Sequence, residues 1–159
     1  MELEADSFWQ ASYSHYQQPD VKDACLWLQD EKGLNVNLLL LICWAAEQGI
    51  ELTPVEIDTM LTAAAEWHEQ NIAMIRQLRR ATEAATWMDD DKREQLKQKL
   101  LDSELTMERI EQQILVEQLK RLAPAQRNNA RAEQSFWNYL LHLNIPLDEE
   151  IQAKFGQLL

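Results

Sequence analysis

From Leu38 to Ala46 the chain reads LLLLICWAA, nine consecutive apolar residues. A strand or a surface helix would interrupt such a run with polar positions, because each must keep one side in water. A helix that is greasy all round its circumference has to be enclosed by other helices. The run is therefore the expected centre of an all-helical core. It is far shorter than the ~20 apolar residues needed to span a bilayer. Three glycines and four prolines in 159 residues leave few tight turns, which also argues against a sheet.

The flanking punctuation divides the chain into about six or seven helices with an antiparallel hairpin at the centre. Asp6 or Ser7 is positioned to cap a first helix carrying Trp9, Tyr13 and Tyr16 at helical spacing, closed by Pro19. Val21, Ala24, Cys25 and Leu28 form the stripe of a second. Gly33 suits its left-handed end, and Asn35 caps the apolar helix that follows. Gly49 stops that helix. Thr53-Pro54-Val55-Glu56 is a capping box with proline in the first helical position.

The helix opened there extends towards Trp87, with a stripe of Ile57, Met60/Leu61, Ala64, Trp67/His68, Asn71, Ile75 and Leu78. At 1.5 Å per residue it would reach roughly 50 Å, so either a break near Asn71 or a projecting arm is expected. Asp89 to Asp91 start another helix, whose apolar positions run from Leu96 and Leu105 to Leu122 before Pro124. Two shorter helices follow, one with Phe136, Trp137, Leu140 and Leu141, the last with Leu147, Ile151, Phe155 and Leu158. The expected organisation is a core domain over 1–87 and a helical arm or second layer over 88–159, packed on the first. The six tryptophans, spread over most of these helices, are expected to anchor the packing.

A net charge of −12 disfavours a phosphate backbone or an anionic membrane as partner. Neither nucleic acid nor membrane is therefore expected. The amino terminus, MELEADSFW, has no basic or apolar leader region, and the two cysteines, Cys25 and Cys43, read as buried thiols in a reducing compartment. A cytoplasmic location is expected.

No catalytic motif stands out, and no cofactor or metal is called for. Asp90-Asp91-Lys92-Arg93-Glu94 matches the Asp-Asp-x-x-Glu pattern of helical prenyl-transferring enzymes, but it opens a charged helix without a second acidic set, so it reads as a helix cap. The polar residues that invite attention are His68, Asn71 and Arg79, on or beside the stripe of the long helix, with Arg76 and Arg80 further round. A basic cluster of this kind can hold a carboxylate or phosphate. The plainer alternative is that the arginines pair with nearby acids and His68 is a satisfied core histidine.

With these residues laid out, the chain resembles a family of small uncharacterised proteins of Gram-negative bacteria. The resemblance rests on Phe8-Trp9, Cys25-Leu26-Trp27-Leu28-Gln29, Val36-Asn37-Leu38-Leu39 with Trp44, Trp67, and Leu78-Arg79-Arg80, over roughly the first half. It implies a helical bacterial protein and supplies no activity. It adds Gln29, Asn37 and Trp67 to His68, Arg76, Arg79 and Arg80 as candidate binding residues. The expected function is that of a non-enzymatic adaptor or regulator acting through protein contacts, with a homodimer as one form. The alternative is a small-ligand (anion) binder or enzyme with an inter-helix pocket lined by Gln29, Asn37, His68 and Arg79.

Overall fold

The computed structural model describes residues 2–159. Helices α1 (Ala5–Tyr16), α2 (Pro19–Lys32) and α3 (Val36–Glu47) precede a rod made of α4 (Pro54–Trp67), a π-helical turn (His68–Ile72) and α5 (Ala73–Ala84). Then come α6 (Asp90–Leu122), α7 (Ala132–Leu143) and α8 (Glu149–Leu158). Among the described residues these make seven helical rods, an all-α bundle.

Helix α3 is the hub. Leu38, Leu39, Leu41 and Ile42 have no exposed surface, and α3 packs on α1, α2, α6 and α7. Replacing one such leucine by alanine would cost about 2–5 kcal/mol. One continuous core joins them to Phe8, Ile57 and Met60, and equally to Leu115, Leu119, Phe136 and Phe155 from the C-terminal half. Phe136 stacks on Phe155 with centroids 4.6 Å apart, and α8 lies along α2.

The local signals operate as their chemistry requires. Gly33 ends α2 at φ 68°, and the Asn35 side chain accepts from Leu38 N at the start of α3. Thr53 and Glu56 form the reciprocal capping box. Asp89 caps α6, and the left-handed Ala123 before Pro124 closes it. The start of α1 differs from expectation: its N-cap is Glu4, with no side-chain cap, and Asp6 and Ser7 lie inside the helix.

Three expectations about burial are corrected. In α1 the inward face is Phe8 and Ser12, one position from the aromatic stripe, so Tyr13 is exposed. Of the six tryptophans only Trp44 is buried, against Phe8, and Trp87 is 83% exposed. Leu78, Leu96, Leu105, Leu141 and Leu147 are also exposed. The long rod is neither broken nor regular. Its π-helical turn inserts one residue beyond the α-helical repeat, which shifts the buried face by part of a turn while Ile75 stays within it. Ile72 is thus buried where Asn71 was expected, and Leu78 turns outwards.

Candidate functional site

A cleft of about 350 Å³ opens between α1, the α2–α3 junction, α5 and the middle of α6. Gln29, Asn37, His68, Arg76, Arg79 and Arg80 all line it. Trp67 does not: it is half-buried, and its indole Nε1 donates to Met107 O of α6 at 3.0 Å. Asn71 also faces elsewhere, its amide donating to Trp67 O within the π-helical turn.

The floor is built by α6. Leu100, Glu104, Glu108, Glu111, Leu115 and Leu119 follow one another at spacings of three and four, so three carboxylates continue an apolar stripe into the protein. Glu111 is completely enclosed. Its Oε1 accepts from Asn35 Nδ2 at 2.9 Å and from Asn37 Nδ2 at 3.0 Å, while Oε2 lies 2.7 Å from Nδ1 of His68. A carboxylate can only accept, so Nδ1 carries the proton of that bond. Burial pushes the Glu111 carboxyl up, but the hydrogen bonds from His68, Asn37 and Asn35 outweigh it and hold the group below the usual carboxylate value.

Beside it, Gln112 Nε2 donates to Asn37 Oδ1 at 3.1 Å and to Ser12 Oγ at 3.0 Å. Ser12 donates in turn to Trp9 O. Three helical segments, α1, α3 and the π-helical turn, are thereby tied to the middle of α6 by polar bonds inside an apolar bundle. Such networks are stable when every member is satisfied, and among the described residues no buried side-chain polar atom lacks a partner.

Two turns nearer the N-terminus of α6, Glu104 Oε2 accepts from Arg79 Nε at 2.7 Å and Oε1 from Arg76 Nε at 3.2 Å. Arg76 Nη2 donates to Glu108 at 2.7 Å. The bond to Glu104 raises the Arg79 guanidinium further above its ordinary value. Burial pushes the Glu108 carboxyl up. Arg76 pulls it down without cancelling this, because Glu104 and Glu111 add to the rise. Arg76, Arg79 and His68 are thus held by acids of α6. Arg80 is exposed at the cleft wall, and among the described residues no acidic side chain pairs with it.

Above this floor the lining turns apolar, with Trp9 and Tyr13 of α1, Leu26 of α2, and Leu101 and Leu105 of α6. Tyr16 stands between the two zones, its phenol pushed up to about 12 chiefly by burial. Among the described residues no cluster of side chains has the arrangement of a metal site, and no helix is long and apolar enough to cross a membrane.

The sequence reading missed Glu104, Glu108, Glu111 and Gln112, because it followed only the apolar residues of α6. The available signal was their spacing, in register with Leu100 and Leu115.

No curated protein and no solved structure matches the chain. A family model described as a protein of unknown function (DUF2390) matches residues 7–115. The match reaches well past the first half of the chain and takes in every residue of the cleft, from Trp9 to Gln112. It ends inside α6, before α7 and α8 begin. The chain therefore belongs to the DUF2390 family.

Proposed function

We propose that this chain is a cytoplasmic bacterial binding protein whose cleft takes a small amphipathic anion, a carboxylate or phosphate ester carrying an apolar or aromatic body. The observation that carries the reading is the division of the cleft wall. On the α5 side, Arg76 and Arg79 are engaged by Glu104, Glu108 and Glu83, whereas the exposed Arg80 has no acidic partner among the described residues and is the cation free to meet a ligand. Facing it are the rings and aliphatic side chains of Trp9, Tyr13 and Leu105. An arginine fork suits a planar anion, and the volume falls in the range of small-molecule pockets. Binding is favoured over catalysis because the ionisable groups at the floor are tied to one another.

Thermal denaturation with indole-3-acetate and phenyl phosphate as probes tests this. A ligand present at ~100 times its Kd stabilises by about 2.7 kcal/mol, roughly 5–10 °C in a domain of this size. Arg80→Gln should weaken binding about tenfold or more without lowering the melting temperature of the free protein. Equal binding by Arg80→Gln, or no shift with either probe and no small molecule in a native mass spectrum, would rule the reading out.

A second reading, an adaptor acting through protein contacts, is favoured by a different observation: the apolar surface that α5 and the first half of α6 leave uncovered.

A further inference from the structure

Helix α5 packs chiefly on α6, and the two form a hairpin extending beyond the bundle. Ile75 and Leu100 make its inner seam. On one side of that seam runs an open groove lined by Asn71, Met74, Ile75, Leu78, Leu100 and Met107, with no charged side chain in its wall. Met74 is 56% and Leu78 54% exposed, and Leu96, one turn from Leu100, is exposed as well. A two-helix hairpin has nothing to cover such a face from within, and contiguous apolar surface of this kind marks an interaction site.

The distribution of charge says what can cover it. Residues 73–107 hold seven basic and seven acidic side chains, so the whole net charge of −12 resides outside this arm. Two copies approaching body to body would repel, whereas two arms approaching do not. An uncharged groove meeting its own copy also desolvates no ion. Methionine on both sides lets the surfaces adjust to each other.

We propose that the arm is a dimerisation element whose occupant is the same arm of a second copy, the two hairpins packing about a twofold axis as a four-helix bundle. This gives the protein-contact reading its partner and does not depend on the cleft. In a twofold arrangement one patch serves both copies, so Met74 and Leu78 of each hairpin meet the Leu100 region of the other. The face is small: α5 is 12 residues long, about 18 Å, and two helices are ~20 Å wide. That patch, roughly 400 Å² per copy, is below the standard size of specific interfaces, so the dimer is a weak, transient one with a Kd on the order of 10–100 µM.

Sedimentation equilibrium of the full chain from about 1 to 200 µM reads the association. The expected result is a monomer–dimer transition that strengthens between low and high salt, as screening removes the repulsion between the acidic bodies. Leu78→Glu and Met74→Glu should each weaken the dimer at least about tenfold with unchanged helical circular dichroism, since both positions are exposed. Val55→Glu, at an exposed site remote from the arm, should leave it intact. A monomer throughout the range, or a dimer indifferent to Leu78→Glu and Met74→Glu, overturns the proposal. Neither substitution lines the cleft, so an unchanged thermal shift with the anionic probes separates a failure here from a failure of the ligand reading.

Discussion

Oε2 of Glu111 lies 2.7 Å from Nδ1 of His68, joining the enclosed middle of α6 to the π-helical turn of the long rod. The other oxygen of the same carboxylate takes both Asn35 and Asn37. One side chain thus fixes the start of α3, the irregular turn and the floor of the cleft relative to one another.

Glu111→Gln should therefore be destabilising by about 2–4 kcal/mol, because an amide must present a donor to groups that are themselves donors. Glu108→Gln, one turn away, should lie within about 1 kcal/mol of the parent: the amide oxygen still accepts from Arg76, and a desolvated charge is removed. Urea unfolding of the two variants measures the contrast, and equal losses would show that the carboxylates are energetically equivalent.

The two acids also predict opposite pH dependences. Glu111 is held below its ordinary value of 4.5 in the folded protein. Its stabilisation is then complete above about pH 4.5 and is lost as the pH falls through the folded value. Glu108 is raised, so its contribution grows as the pH falls through its folded value towards 4.5. The stability difference between the parent and Glu111→Gln should shrink from pH 7 to pH 3, as measured by denaturation at each pH.

Cys25 and Cys43 are free thiols, each pushed up to about 12 chiefly by burial. Thiolate is the reactive form. Both should resist Ellman's reagent in native protein at pH 8 and react promptly in denaturant. Rapid labelling of the native protein would show that the region around α3 opens readily.

Gly49 has φ 81°, and a Cβ there would lie 2.6 Å from the carbonyl oxygen of Arg127, whose own N–H donates to Gly49 O at 2.7 Å. Gly33 also has a positive φ, but open space surrounds its Cβ position. Gly33→Ala should cost about 1 kcal/mol, the backbone strain alone, and Gly49→Ala clearly more, since the segment after α6 must also shift. Melting temperatures of the two variants give the comparison.

The caps and stops were legible because their chemistry is local. Asn35, Thr53 with Glu56, Gly33 and Gly49 act on atoms within a few residues. The apolar run of α3 announced its own enclosure for the same reason. Burial elsewhere was less legible. In α1 both Phe8-Ser12 and Trp9-Tyr13 are at helical spacing, and only the neighbouring helices decide which pair turns inwards. The rod's π-helical turn shifted Asn71 and Leu78 off the expected face, a one-residue slip that periodicity does not register.

By itself, the sequence determined the helical class, the place of α3 at the centre and the capped boundaries, and it singled out the polar residues Gln29, Asn37, His68 and Arg79. Tertiary structure alone decided that these share one cleft and that the acids answering them come from α6. It also decided that Trp67 faces away from the cleft. The physical reason is range. Caps and amphipathic stripes are set by neighbours in the chain, whereas a buried carboxylate is tolerable only where donors from distant segments converge on it. Glu111 finds Asn35, Asn37 and His68 only after α3, the long rod and α6 have packed together.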